Sequence, residues 1–375
     1  MPKRLIPPPR ARQALSSKGG PGTGRHLPPA RLLIMPHRAF ALFILPSMLA
    51  MLLFIAMPLV SVVVQSLYVA HPQVLVAQET CDPFGCKTET RVDAAAMEAM
   101  NAAAPQGRFN GLGTYFDAAH LASAELRAIW SAAPDVGTAL SQTLNLPFYR
   151  ALLFTLVYTV VVSPLSLGLG LLIALSVNIL PRATRSGVIY FTLLPMIVPS
   201  VIGALTLFWM IDQRGIIGAF LQWVTGNDGL SLKASGPLAW ATLFVHGVWS
   251  NAPFVFIVFY AALQTVPRDT IEAAMVDGAS RLERLRLVTM PHLRPVSTFL
   301  MLILVMDNFR VFEAIIGLSA TAHASSLSSL IFFALRGDTP LFGSAAATSM
   351  LTVIIIFVLL LPSLRNAWAG FRTKA

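Results

Sequence analysis

Charge is scarce in this sequence. Only 12% of its 375 residues are Asp, Glu, Lys or Arg, against about 25% in an ordinary soluble domain. So thin a polar coat excludes a water-soluble globular enzyme. Acidic residues are the scarcer half, 17 against 27 basic ones, for a formal charge of +10. Cysteine is nearly absent: Cys81 and Cys86 are the only two. Two thiolates alone do not complete a tetrahedral set, so no metal site is expected. The phosphate loop G-x-x-x-x-G-K-[ST], the zinc motif H-E-x-x-H and the nucleophile elbow G-x-S-x-G are all missing. No catalytic residue is assigned, and the chain is expected to hold no cofactor of its own.

What is present is apolar sequence, 55% of the chain. A membrane helix needs about 20 mostly apolar residues. Six runs qualify, at residues 40–69, 151–177, 187–211, 238–263, 296–318 and 343–364. Open sheet has no water for its unpaired backbone groups in lipid, so the runs are expected to be helices. The fold class is therefore all-α, a polytopic membrane protein with six transmembrane helices. An external loop domain, 70–149, follows the first helix, 39–69, and the remaining five form a core at 150–375.

The distribution of charge orients these helices. Residues 1–38 carry eight basic side chains and no acid, and the segments 178–186, 264–295 and 365–375 add ten more. Placed together in the cytoplasm they hold 18 of the 27 basic residues, whereas 70–149 has four basic residues against eight acids. That is the positive-inside pattern, with both termini cytoplasmic. The excess of positive charge thus reads as topology and membrane-lipid contact, and nucleic acid is not an expected partner. The tail 1–38 is expected to be disordered. The first apolar run exceeds a signal-peptide core of about 7–15 residues and has no A-x-A site, so it is expected to stay in the membrane. In an oxidising compartment Cys81 and Cys86, spaced C-D-P-F-G-C, suit a small disulfide loop turned by Pro83 and Gly85, with two free thiols as the alternative.

The most informative segment is the loop 265–295. Thr270–Asp277 contains good helix formers, and Gly278 suits a left-handed helix end. A second short helix is expected over Arg281–Met290, stopped by Pro291. Ala273 and Ala274 offer a small surface that a partner could approach closely. The run Glu272-Ala273-Ala274, Asp277-Gly278-Ala279 and, nine residues after the glycine, Val288-x-Met290-Pro291 resembles the "EAA" loop of ATP-binding-cassette importer permeases, differing by Val for Ile and Met for Leu. The resemblance extends over about residues 140–375. It is similar to the sugar-permease branch in Leu194-Pro195 through Trp209, Arg214-Gly215-Ile216-Ile217 and the small-residue run after Leu341-Phe342.

The resemblance implies an importer's permease subunit in the bacterial inner membrane. It implies a second permease, an ATPase dimer carrying ATP and Mg, and an extracytoplasmic solute-binding protein. Glu272, Ala273, Ala274, Asp277, Gly278 and Pro291 would form the ATPase contact. Coupling must be mechanical, since no nucleotide motif occurs here. For the solute path, the carry-over lands on Gly247, Ser250, Asn251, Phe254, Asp307 and Asn308, with Arg310 available to an anionic group. Polar residues deep in a span usually face a bundle interior or wet cavity, and polar groups beside an aromatic face suit a carbohydrate or polyol. Asp307, Arg310 and Glu313 step by three and are expected to form a ladder on one helix face. His246 reads as a helix-packing histidine. Three other readings remain at this point: a permease for a polyamine or phosphate ester, an ion-coupled secondary transporter, and a purely scaffolding membrane subunit.

Overall fold

The computed structural model describes residues 37–82, 85–337 and 339–372. The chain divides into two compact units, 1–56 and 57–375. In the first, the described residues form helix α1 (His37–Met51), with Pro46 inside it, and a π-helical turn, Leu52–Ala56. Apart from residues 37 and 38, the basic tail lies outside the described residues.

The second unit opens with α2 (Met57–Gln65). A mixed segment follows: β1 (Tyr68–Val69), β2 (Leu75–Asp82), β3 (Gly85–Val92), α3 (Ala94–Ala103), β4 (Arg108–Phe109), α4 (Gly113–Phe116), α5 (Ser123–Ala132) and α6 (Val136–Asn145). β1 pairs with β4, and β2 with β3, both antiparallel. In the β2–β3 hairpin the backbone register sets Cys81 opposite Cys86. The turn residues 83 and 84 lie outside the described residues. Asp93 and Asp135 cap α3 and α6 by accepting bonds from backbone N–H groups, which have no partner in a helix's first turn. The Thr138 hydroxyl and amide hold the Asp135 carboxyl below the usual carboxylate range. Three polar contacts fasten the segment to the helices. The Tyr115 hydroxyl meets Ser66 Oγ at 2.6 Å, buried His120 lies 3.0 Å from the Ser344 carbonyl, and Tyr149 donates to the Leu121 carbonyl at 2.9 Å.

The helical core comprises α7 (Pro147–Ile179), α8 (Arg182–Ile197), α9 (Ser200–Met210), α10 (Ile216–Thr225), α11 (Gly236–Leu263), α12 (Arg268–Val276), α13 (Arg281–Arg284) with a π-helical turn at Leu285–Thr289, α14 (Met290–Asn308), α15 (Glu313–Gly317), α16 (Leu327–Arg336) and α17 (Phe342–Arg372). By length and composition, Phe40–Gln65, Pro147–Ile179, Gly236–Leu263, Arg281–Asn308 and Phe342–Pro362 could each cross a membrane. α8 and α9 make a sixth only as a pair bent by 97°. The bend falls at Val198-Pro199, where a residue before proline is driven out of the helical region. The span expected at 187–211 is therefore broken.

α7 is the central element and contributes to all three core clusters. Its buried stripe runs Ala151, Thr155, Thr159, Ser163, Ser166, Gly170, Ala174 and Val177. Small residues let neighbouring backbones close in where lipid removes any hydrophobic drive between helices. At Gly170 an added Cβ would stand 2.6 Å from Val255 of α11. Thr155 and Thr159 donate back to the carbonyls four residues earlier, at 2.7 and 2.8 Å, so burying them leaves no hydroxyl hydrogen unpaired.

The fifth span differs most from its expected form. Pro291 does not stop the helix: Arg281–Asn308 runs unbroken for 28 residues. The π-helical turn explains this. Met290 N–H reaches back five residues to the Leu285 carbonyl, and the wider turn gives the Pro291 ring room it would lack in a regular helix. The far end is shorter than expected, because α14 stops at Asn308 and α15 begins only at Glu313. Of the expected ladder only the Asp307–Arg310 step forms, and the break sets Glu313 apart at the start of α15. Phe312, at φ −148° and ψ −56°, lies outside the helical region, and Ser326 donates to the freed Val311 carbonyl at 2.6 Å.

At that break Asn308 joins three helices. Its Nδ2 donates to Ser163 Oγ of α7 at 3.0 Å, and its Oδ1 accepts from Asn251 Nδ2 of α11 at 3.1 Å. Bonds between membrane helices average about 0.6 and reach about 1.7 kcal/mol. Asn308→Leu, which loses both, should cost the detergent-solubilised protein about 1–3 kcal/mol, a fall of several degrees in Tm. Asp307→Ala, at a solvent-facing position, should leave Tm within a degree or so. Equal losses in the two variants would show that the clamp does not hold the helices.

Candidate functional site

A cavity of about 600 Å³ opens beside the α14 break. Of the residues assigned to the solute path, Gly247, Ser250, Asn251, Asp307, Asn308 and Arg310 line it together. Phe254 does not. It lies one turn further along α11, past the Asn251–Asn308 bond that closes the floor, and packs against the core cluster around Phe256, Phe259 and Leu300. Asn308 is 4% exposed and both ends of its carboxamide are occupied, so its contribution is to fix the floor rather than to offer free donors. Asp307 and Ser250 present side chains to the open space.

Several wall residues were not read as such from the sequence. Tyr158 reaches the cavity from α7, Ser200 from the start of α9, and Ser328, Phe332 and Leu335 from α16. α16 has only ten residues, too few to stand out as a span. Gly247 has a steric role that sequence alone could not show. A Cβ there would overlap the Tyr158 hydroxyl, so the missing side chain lets the phenol stand at the wall. His246, 3% exposed, also borders the cavity, with its ring 6.0 Å from Trp249.

The wall has an aromatic side and a charged side. Phe312 and Phe332 pack with ring centres 4.8 Å apart, and the Arg336 guanidinium lies 5.3 Å over Phe332. The same wall carries Asp307, Arg310 and Glu313. Arg310 Nη2 donates to Asp307 Oδ1 at 3.0 Å, a pair that folds back on itself within one turn. Irregular backbone at membrane depth is tolerated where it lines a cavity, and residues 310–312 do so. The cavity offers hydroxyl, carboxamide and carboxylate acceptors beside apolar rings, an arrangement suited to binding a polyhydroxy solute without chemical change.

The second group of assigned residues lies at the other end of Arg281–Asn308. Glu272, Ala273, Asp277 and Gly278 are exposed and Ala274 half-buried, on α12 and the turn after it. Gly278 has φ +81°, a left-handed conformation favouring glycine. The Ala279 N–H closes the turn onto the Ala274 carbonyl at 2.9 Å. Ser280 then caps α13, its hydroxyl accepting from the Glu283 amide while Glu283 accepts from the Ser280 amide. Val276, Leu282 and Leu287 are left as exposed apolar side chains around this turn. At the far end of α9, Lys233 donates to Asp212 at 2.8 Å and holds that carboxyl below its usual range, while its ammonium lies 3.4 Å over the Phe208 ring.

The chain is 30% identical over 222 residues to the trehalose/maltose transport system permease protein MalF of Thermococcus litoralis, covering 56% of this chain and 71% of that one. It is 32% identical over 211 residues to the sn-glycerol-3-phosphate transport system permease protein UgpA of Shigella flexneri, covering 55% and 70%. In fold it is similar to a chain of a bacterial ABC transporter involved in import of the acidic polysaccharide alginate. That match has a TM-score of 0.55 and 23% identity, over 66% of this chain and 89% of the other. The family model for the binding-protein-dependent transport system inner membrane component matches residues 166–367. With more than half its length matched, this chain belongs to that family of membrane transport components.

Proposed function

We propose that this chain is one permease subunit of an ATP-driven importer and forms part of the translocation path for a carbohydrate or polyol. The observation that carries the reading is the continuity of Arg281–Asn308, which has the exposed 268–280 turn at one end and the cavity floor at the other. The membrane component has no nucleotide motif, so the work must enter as movement. In this reading an ATPase subunit grips Glu272, Ala273, Ala274, Asp277 and Gly278, and Pro291 begins the stiff part of the lever. ATP-driven closure of the ATPase dimer displaces the turn, and α14 carries that displacement to Asp307 and Asn308.

The surrounding assembly follows from the same reading. A second permease subunit completes the path, and an external solute-binding protein delivers the solute to it. The charge distribution favours a cytoplasmic place for segment 264–295 and both termini and an external one for 70–149. Outside, Cys81 and Cys86, opposed in the hairpin register, would form a disulfide. The names of the maltose-type and glycerol-phosphate-type relatives, together with the hydroxyl, amide and aromatic lining, favour a polyhydroxy solute.

The coupling assignment has a direct test. Glu272→Lys reverses charge at an exposed position, and Gly278→Asp forces a β-substituted residue into a left-handed turn. Either variant should reach the membrane at normal abundance yet lose most of the co-purifying ATPase and at least about ten-fold in ATP-dependent uptake, equivalent to roughly 1.4 kcal/mol of lost coupling. Normal assembly and normal uptake in both would overturn the assignment.

A further inference from the structure

The three charges on the cavity wall do not cancel. Asp307 and Arg310 satisfy each other at 3.0 Å, whereas Glu313, exposed at the first position of α15, has no ion-pair or hydrogen-bond partner among the described residues. It owes this isolation to the break in α14. On a continuous helix Glu313 would stand one turn from Arg310 and share its charge. Here residues 309–312 leave the helix and Arg310 turns back to Asp307. The residues lining the cavity therefore include two carboxylates and one guanidinium, and that guanidinium is already engaged; Arg336, over the Phe332 ring, is not among the lining residues. A cavity walled by low-dielectric protein focuses such a charge instead of screening it.

We infer that Glu313 is a specificity-determining residue that makes this subunit's cavity repel anionic solutes and admit uncharged saccharides. The inference rests on the reading of the cavity as a solute path and narrows its substrate class. Arg310 does not serve as an anion site, because any anion approaching it also meets Asp307 and Glu313. For an uncharged sugar the same carboxylate is an acceptor for hydroxyls, on a wall that also carries the Phe312–Phe332 pair on which an apolar sugar face can rest.

The field can be measured without knowing the solute. In a Cys81→Ser, Cys86→Ser background, Ser250→Cys places one thiol on the wall. In the assembled complex with its ATPase subunits, the rates of modification by a cationic and an anionic methanethiosulfonate reagent of similar size are compared, each normalised to free cysteine. The cationic reagent should react about ten-fold faster, and Glu313→Gln should remove most of that preference. Asp307→Asn is the control that keeps the fold and frees Arg310, and it should also lower the ratio. Equal normalised rates in the parent, or a preference unchanged by Glu313→Gln, would overturn the inference while leaving the path reading intact. A thiol at 250 that neither reagent reaches would instead contradict the path reading, and the inference with it.

Discussion

The carboxamide of Asn308 must be satisfied inside a helix bundle with little water to help it, and the way this is done fixes the site. Its two bonds, to Ser163 and Asn251, tie α14 to α7 and α11 at the level where α14 ends. Ending the helix there frees backbone groups that would be costly in lipid. They are taken up by the Ser326 hydroxyl and by the cavity that residues 310–312 line. The polar floor, the helix break and the open wall are thus one arrangement. The small and hydroxyl-bearing stripe of α7 permits it, since bulkier residues there would hold α11 and α14 apart.

The same helix makes the arrangement mechanical. From Arg281 to Asn308 no break interrupts the backbone, and the π-helical turn at Leu285–Thr289 lets Pro291 be included rather than terminate it. The exposed turn around Gly278 is held by its own caps and bonds. It is therefore a shaped projection before any partner binds. A push there reaches the cavity floor without crossing a flexible joint, whereas the α8–α9 bend and the short α15 and α16 are places where the wall could yield.

Much of this was legible from composition and spacing. Low charge, six apolar runs and the position of the basic residues gave the class, and the Glu272–Pro291 spacing located the turn. Gly278 could be placed because a left-handed helix end favours one residue type. What could not be read were features set by tertiary packing. Hydropathy cannot distinguish a straight span from the bent α8–α9 pair, because both are equally apolar. The i, i+3 spacing of Asp307, Arg310 and Glu313 suggested one face, yet the buried demands of Asn308 and Ser326 ended the helix between them. Tyr158 and Phe332 lie in apolar stretches and became wall residues only through their neighbours, Gly247 in one case and the α14 break in the other. Phe254, polar neighbours notwithstanding, fell one turn below the floor.

The central claim is that one rigid helix links the exposed turn to the cavity, and pulsed electron-resonance distances test it most directly. Spin labels at Leu287 and Met306, both exposed on that helix, and a second pair at Met306 and Leu335, from the end of that helix to the cavity-lining α16, should be followed in the assembled complex with and without ATP. The account predicts that the Leu287–Met306 distance stays constant while the Met306–Leu335 distance changes on ATP binding. A Leu287–Met306 distance that changes, or a cavity distance that does not, would contradict it.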